Sequence, residues 1–175
     1  MSGAMIVVFA LLAFVAVTIF KGVRIVPQGY KWIVQRLGKY HTTLSPGLNF
    51  VIPYVDEVAY KVTTKDIVLD IPSQEVISRD NAVLLMNAVA YINLTTPEKA
   101  VYGIENYVWA IQNLVQTSLR SITGEMSLDD ALSSRDHIKA KLKAAISDDI
   151  SDWGITLKTV EIQDIKPSHT MQTAM

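Results

Sequence analysis

Side chains that commonly do chemistry are few and scattered in this sequence. The chain has no cysteine, which excludes thiol nucleophiles, disulfide scaffolds and cysteine-based metal sites. His41, His137 and His169 lie far apart, and none has a second histidine or a carboxylate pattern at a familiar metal-ligand spacing. The nucleophile-elbow, phosphate-loop, dinucleotide-binding and zinc-protease motifs are also absent. We therefore predict no catalytic residue, no cofactor and no bound metal.

Carboxylates cluster in two places, and each cluster has an ordinary explanation. Asp129, Asp130 and Asp136 could form acid and base pairs, but they fall where helices are predicted to begin. A carboxylate there caps the helix and meets its positive dipole end. The second cluster falls near a predicted helix end, where we interpret it as a solvated face or as a contact for a basic patch of another subunit. It consists of Asp148, Asp149 and Asp152.

Length and overall charge restrict the possible function classes. A chain of 175 residues is long enough for about one compact domain, so a multidomain enzyme is not expected. The formal net charge of −1 gives little support to a protein that binds nucleic acid by neutralising its phosphates. We predict no nucleic-acid partner.

The most apolar stretch runs from residue 4 to residue 20 and carries no charge. As an α-helix it would be about 25 Å long, near the lower end of what crosses a bilayer. Val23, Ile25 and Val26 can extend it if neighbouring basic side chains reach the headgroups. The β-branched and aromatic residues and turn formers from residue 22 to residue 40 favour short strands joined by turns. A cleaved signal peptide is the alternative, but no basic segment precedes the run and no clear cleavage site follows it. We predict an uncleaved membrane anchor that includes Met5, Phe9, Leu11, Phe14, Ile19 and Phe20.

Basic residues follow the predicted anchor without any acidic ones. The first carboxylate of the chain is Asp56, and the residues from 21 to 55 contain five lysines and arginines. By the positive-inside rule, everything after residue 21 lies on the cytoplasmic side. The same charges predict either attraction to anionic lipid or simply a solvated face. These five residues are Lys21, Arg24, Lys31, Arg36 and Lys39.

The segment from residue 45 to residue 54 is apolar, but it also contains prolines and a glycine that break regular secondary structure. Pro46, Gly47 and Pro53 predict a loop, although most of the other side chains are hydrophobic. Such a loop either folds under the domain or rests on the bilayer surface. In the second case Phe50 and Tyr54 belong to the membrane interface together with the basic residues.

Strand patterns occupy the middle of the chain. Residues 67–71 predict a strand that ends at Pro72, and residues 75–78 predict another, closed by a turn at 79–81. Residues 83–94 alternate so that every even-numbered residue is apolar. This pattern is typical of a long strand in an antiparallel sheet with one face covered.

After Pro97 the hydrophobic period becomes helical. We predict that Asn106 and Ser127 cap helices, and that a fourth helix begins near Ser133 or Ser134 and buries Ala145 and Trp153 among others. Strand alternation returns at 155–165. It puts Ile155 and Leu157 on one side, and Val160 and Ile162 on the other. Strands, then helices, then a closing strand predict an α+β fold with an antiparallel sheet.

Seven motifs in this order and spacing resemble the SPFH superfamily, also called Band 7, which includes stomatin, prohibitin, flotillin and HflK/HflC. The sequence is most similar to bacterial stomatin-like membrane proteins of the paraslipin or QmcA type. The motifs are Val26-Pro-Gln-Gly-Tyr30, Arg36-Leu-Gly-Lys-Tyr40, Ser45-Pro-Gly-Leu48, Ile52-Pro53, Asp70 to Ser78 with Asp80, Ala131 to Ile138, and Trp153-Gly-Ile155.

This resemblance implies a non-enzymatic scaffold of the bacterial inner membrane with a single membrane pass. Such proteins assemble into large homo-oligomeric rings or cages and organise membrane microdomains. Several relatives restrain a membrane-bound AAA protease, and others are linked with NfeD-type proteins. The expected segments are an anchor helix at 1–21, a first half of the SPFH domain at 22–96, a second half at 97–166, and the start of a C-terminal helix at 167–175.

The sequence departs from the family pattern at its end. Family members continue into a long helix that forms coiled-coil contacts, whereas this sequence stops at Met175, so we expect it to be part of a longer chain. We also expect Arg135 and Asp136 at a subunit boundary, because they are adjacent opposite charges at a helix start in a family motif. A capping role within one subunit is the alternative.

Two other function classes remain open at this point. A monomeric or dimeric adaptor would tether one client protein to the membrane, and it would differ from the scaffold in particle size. A membrane peptidase would need a nucleophile and a base, and the motifs supply no such pair. Some superfamily members also place this domain on the outer side of the membrane.

Overall fold

The computed structural model describes residues 3–168, and it confirms the predicted α+β fold. The chain packs as two compact units, Met1–Lys65 and Asp66–Met175. This division reflects packing, and the segment boundaries expected from the sequence stay a prediction. The expected start of a C-terminal helix lies outside the described residues from residue 169 onward.

The first unit combines a long helix with short antiparallel strands. In the described part of the unit, β1 pairs with β4, while β2 lies between β3 and β5 in a separate sheet. The elements are α1 (Gly3–Gly22), β1 (Val23–Val26), β2 (Tyr30–Arg36), β3 (Lys39–Leu44), β4 (Gly47–Phe50) and β5 (Asp56–Thr63).

Two details of this unit test the sequence-based expectations. Val23, Ile25 and Val26 do not extend α1 but form β1, because these β-branched residues pair with β4. The segment 45–54 is not a loop throughout, since Gly47–Phe50 forms β4. Strand β1 therefore confirms the prediction of short strands for residues 22–40 and excludes the longer helix. The prediction of a loop was wrong at β4, because the pairing of this strand with β1 is not visible in residues 45–54 alone.

A small apolar core holds the first unit together. Val26, Val34, Leu44 and Val51 are buried in it, and Trp32 packs against them as a partly buried side chain. Val26 comes from β1 and Val51 directly follows β4, so the core joins the β1–β4 pair to the sheet of β2.

The second unit is a three-stranded antiparallel sheet with helices packed on it. The strand order is β6-β7-β8, so the last strand of the unit returns beside β7. The elements are β6 (Ile67–Ile77), β7 (Val83–Leu94), α2 (Pro97–Gly103), α3 (Tyr107–Gly124), α4 (Leu128–Ser133), α5 (Arg135–Ser151) and β8 (Ile155–Pro167).

The central strand β7 confirms the predicted alternation. Its even-numbered residues, from Leu84 to Leu94, are all buried. Thr123 on α3 donates a hydrogen bond to the sulfur of Met86, which places α3 over this face. On the other face Asn87 and Asn93 bond through their side chains to Gln163 and Asp66 of the flanking segments.

Strand β6 continues through Pro72, where the sequence predicted an end. Ile71 lies opposite Ala88 and Gln74 lies opposite Met86, so the chain makes a bulge at the proline. Because β6 is at the sheet edge, a residue without an N–H group is tolerated at such a bulge. The prediction of two separate strands was wrong.

Strand β8 carries two bulges that unite its apolar residues on one face. Register shifts leave Lys158 and Gln163 without a partner on β7. As a result Leu157, Val160 and Ile162 all lie opposite even-numbered, buried residues of β7. The prediction that these residues divide between two faces was wrong, because each bulge reverses the alternation once.

The helices confirm their predicted caps and most of their buried faces. The side chain of Asn106 accepts a hydrogen bond from the N–H of Trp109, and that of Ser127 accepts one from the N–H of Asp130. Helix α5 buries Ile138, Leu142, Ile146 and Ile150. Ala145 is exposed and Trp153 is only half-buried, so both were wrongly predicted to be buried.

Gly154 ends the turn between α5 and β8 and offers a test of this packing. Its φ is +69°, and a Cβ there would lie 2.5 Å from the carbonyl oxygen of Thr96. Gly154→Ala should therefore destabilise the protein by at least roughly 1–2 kcal/mol, the usual cost of the left-handed conformation. Gly103→Ala is the matched control, because its φ is not in the left-handed region and no atom beyond its chain neighbours and its own helix backbone lies within 4 Å of the added Cβ. Thermal unfolding in detergent measures both variants, and equal melting temperatures would contradict the prediction.

Candidate functional site

The histidines and carboxylates that could do chemistry do not form a cluster. His41 lies exposed on β3 and His137 lies exposed on α5, whereas His169 lies outside the described residues. Within residues 3–168, no group of three or more histidine or acidic side chains is arranged to hold a metal ion. Asp129 and Asp130 lie in the first turn of α4. Their position there matches the capping interpretation.

Asp80, from the most extended family-like motif, links the β6–β7 turn to α4. Its carboxylate accepts hydrogen bonds from the N–H of Leu128 at 3.1 and 3.2 Å and from the hydroxyl of Ser78. The Ser78 hydroxyl, followed by the Leu128 N–H, holds the pKa of Asp80 below its ordinary value. The motif residue is thus explained by a structural role, which the sequence alone did not indicate.

Helix α1 presents apolar side chains on all sides. Its 20 residues span about 30 Å, the thickness of a bilayer's hydrocarbon core. By length and composition it is long and apolar enough to cross a membrane, and none of that stretch is buried against the protein. The six anchor residues named from the sequence are all more than half exposed: Met5, Phe9, Leu11, Phe14, Ile19 and Phe20.

The chain leaves α1 through a tight junction. The N–H of Val51 donates to the carbonyl oxygen of Gly22 at 2.8 Å. The ring of Phe50 lies so close to Gly22 that a Cβ there would be 2.5 Å from it, and 2.8 Å from the carbonyl oxygen of Val51. Only glycine fits this junction without displacement, so the end of α1 is fixed against β4.

We call β1 and β4 together the interface ribbon. In this antiparallel pair Val23 lies opposite Phe50, and Ile25 lies opposite Leu48. Residues that are opposite or two apart share a face, so these four make one apolar face. They are 39%, 59%, 71% and 76% exposed, respectively. The ribbon therefore continues the exposed apolar surface of α1.

The apolar segment around β4 is exposed for most of its length. Leu48, Phe50, Ile52 and Tyr54 are exposed in the structure, and Val51 alone among its large apolar side chains is buried. The alternative in which this segment folds under the domain therefore holds only for Val51.

Basic side chains and a cavity lie beside this junction. We call this space, of about 390 Å³, the exit cavity. The ammonium group of Lys21 lies 5.7 Å from the centre of the Tyr54 ring. The residues that line the exit cavity are Phe20, Lys21, Val23, Arg24, Val51, Pro53, Tyr54 and Asp56.

Asp56 is the one acidic residue in the wall of the exit cavity, and it is already paired. Its two carboxylate oxygens accept from Nε and Nη2 of Arg36 at 2.7 and 3.0 Å, and it also accepts from the N–H of Ile52. Its side chain is 3% exposed. The Arg36 guanidinium is the largest cause that lowers the pKa of Asp56 to about 2. This pair was not predicted from the sequence, because it joins residues 20 positions apart on neighbouring strands.

The structure brings together some of the residues named as a membrane interface. Lys21, Arg24 and Tyr54 line the exit cavity, and Phe50 contacts the end of α1. Arg36 does not line the exit cavity, but it forms an ion pair with the lining residue Asp56. The remaining two, Lys31 on β2 and Lys39 on β3, are not among its lining residues.

Arg135 and Asp136 open α5 on the second unit, and both are exposed. Arg135 donates from Nη1 to the carbonyl oxygen of Gln163 at 3.3 Å. Lys143 donates to the carbonyl oxygen of Lys158 at 3.3 Å, and Lys139 pairs with Glu161 on the same strand. Together with Arg135 these lysines form a row at four-residue spacing, which we call the α5 basic row. This row was not predicted from the sequence.

Several known proteins are similar to this chain over most of its length. The family model "SPFH domain / Band 7 family" matches residues 24–175. An uncharacterized protein of Methanocaldococcus jannaschii is 40% identical over 157 residues, which cover 90% of this chain and 78% of that protein.

Two longer proteins share the same region. An uncharacterized protein of Mycobacterium tuberculosis is 34% identical over 172 residues, which cover 98% of this chain and 44% of that protein. The mitochondrial stomatin-like protein 2 of Homo sapiens is 39% identical over 140 residues, which cover 80% of this chain and 39% of that protein. The chain thus spans less than half the length of these two relatives.

The ion pair between Arg36 and Asp56 makes stability depend on pH. Because its pKa is lowered from 3.8 to about 2 on folding, Asp56 stabilises the folded state above pH 4, and this contribution is lost as the pH falls towards 2. Asp56→Asn should lower the free energy of unfolding at pH 7 by roughly 1–3 kcal/mol, the range for a lost partner of a charged group. It should also flatten the decrease between pH 4 and pH 2.

Urea unfolding at several pH values measures this effect. Glu57→Gln, the exposed neighbouring carboxylate, is the control and should keep the full acid-dependent decrease. An unchanged pH profile in Asp56→Asn would show that the ion pair does not contribute.

Proposed function

The chain belongs to the SPFH domain / Band 7 family, as its motifs predicted, and from this we propose a membrane-anchored scaffold that self-assembles into a large homo-oligomeric ring or cage. Proteins of this family are generally non-enzymatic scaffolds, and the stomatin-like relatives support a membrane-associated role for this one. The observation that carries the proposal is the exposed apolar helix α1, which joins the interface ribbon without a linker.

Membrane anchoring supports assembly through a concentration effect. An anchor at one end of each copy restricts diffusion to a plane and keeps every first unit at the same height. Weak contacts between neighbouring copies then act at a high effective concentration, as they do between linked binding modules. Large closed particles can therefore form even where each contact is modest.

The orientation that we propose places both units on the cytoplasmic side of a bacterial inner membrane. The support is the run of basic residues from Lys21 to Lys39 directly after α1, in a stretch without acidic residues. Basic residues close to the end of a membrane helix favour the cytoplasmic side.

The client of the scaffold is proposed from the family resemblance. We propose that the assembled particle organises a membrane microdomain and restrains a membrane-bound AAA protease, or binds an NfeD-type protein. The exposed side chains Trp109, Tyr102 and Leu132 are apolar or aromatic groups on the second unit that such a partner could contact. Large aromatic side chains are the kind that protein interfaces prefer.

Native mass tests the scaffold directly. The protein extracted from membranes in mild detergent should run as large particles on native gels and appear as closed rings or cages in electron micrographs. A monomer or dimer that stays small in native lipid would contradict assembly and favour the tethering adaptor. Hydrolysis of a peptide substrate that one point mutation abolishes would instead favour a peptidase.

Charge reversal tests whether the start of α5 lies between subunits. Asp136→Lys should reduce the particle size, because a like charge would then face the neighbouring copy. Glu105→Lys reverses another exposed carboxylate outside α5 and should leave the particle size unchanged. Particles of unchanged size in Asp136→Lys would contradict a position between subunits. They would favour the alternative, a capping role of Asp136 within one subunit.

A further inference from the structure

The exit cavity has a place and a size that suit a small anionic group. It lies at the last turn of α1, between that helix and the segment that follows β4. Its volume of about 390 Å³ is within the range of small-molecule sites. Helix α1 is as long as the hydrocarbon core is thick, so its last turn is at the level of the lipid headgroups if the helix crosses the membrane.

The charge balance of the cavity favours an anion. Asp56, its one acidic lining residue, is occupied by the bidentate contact from Arg36. Within residues 3–168, neither Lys21 nor Arg24 forms an ion pair with a carboxylate, and the contact of Lys21 is with the ring of Tyr54. Two positive charges therefore line the cavity without compensation.

The side chains around these cations suit a lipid in particular. Phe20 is 82% exposed and Tyr54 is 71% exposed, and both line the cavity. An exposed tyrosine such as Tyr54 near the end of a membrane helix is typical of the headgroup region, whereas Phe20 adds apolar surface. An acyl chain leaving the cavity would meet Phe20 and the apolar surface of α1, whereas a free phosphate ion would gain nothing from that surface.

We propose that the exit cavity binds the phosphate of one anionic phospholipid through Lys21 and Arg24. Arginine binds phosphate oxygens in a bidentate manner and lysine binds them as a point charge, so the two side chains complement each other. A zwitterionic lipid is disfavoured because its headgroup cation would lie near the same two positive charges. The inference rests on the proposed anchoring of α1 in a bilayer.

Native mass spectrometry of protein extracted from vesicles tests the site. The vesicles contain phosphatidylglycerol and phosphatidylcholine in equal amounts, and the retained lipid per chain is counted after detergent exchange. Lys21→Gln with Arg24→Gln should lower the retained phosphatidylglycerol roughly tenfold, since two charge-assisted contacts are lost. Lys31→Gln with Lys39→Gln removes the same charge outside the cavity and should leave retention unchanged.

Further variants and a second measurement distinguish failure of the lipid site from failure of the membrane anchoring on which it rests. Lys21→Arg with Arg24→Lys keeps both charges and should keep the lipid, which guards against a variant that only misfolds. Equal retention in the two glutamine pairs, or displacement by inorganic phosphate alone, would overturn the lipid site. Carbonate extraction checks the anchor separately: protein that washes off the vesicles would contradict the proposed function itself.

Discussion

The exposed apolar surface of α1 is the constraint on which the first unit depends. Exposure of large apolar side chains on every side of a helix to water is unfavourable, and only the last residues of α1 contact the rest of the protein. In the anchoring that we propose, a bilayer covers these side chains. The residues that follow must then leave the hydrocarbon region at once with their backbone groups paired, since unpaired groups are costly there. The hydrogen bond from Val51 to Gly22 and the pairing of β1 with β4 meet this requirement at the helix end.

The second unit is organised around the buried face of β7. Six consecutive even-numbered residues of that strand are buried, and the flanking strands adjust their register to match them. The bulges in β6 and β8 are the means of adjustment, because they let Val76 and Val160 both lie opposite buried residues of β7. The bulges of both flanking strands thus keep their apolar residues opposite the buried face of β7.

Sequence patterns predicted the features that depend on residues close together in the chain, such as strand alternation and helix caps. The period of residues 83–94 gave the covered face of β7, and the side chains of Asn106 and Ser127 marked true helix starts. Features that depend on a distant partner were missed. Strand β4 needs β1, the bulges in β8 need β7, and the pairing of Asp56 needs Arg36 on the neighbouring strand. The basic character of residues 21–55 was visible, but which charges remain uncompensated was not.

The α5 basic row binds backbone carbonyl oxygens of β8 at the two bulges of that strand. Arg135 and Lys143 occupy the carbonyl oxygens of Gln163 and Lys158, the residues that the bulges release from pairing with β7. An uncovered strand edge invites another strand to add to it, and copies held side by side on one surface would extend such a sheet without limit. Two backbone acceptors of β8 are thus bonded within one copy. In the assembly that we propose, these two acceptors would not be available to a strand of a neighbouring copy.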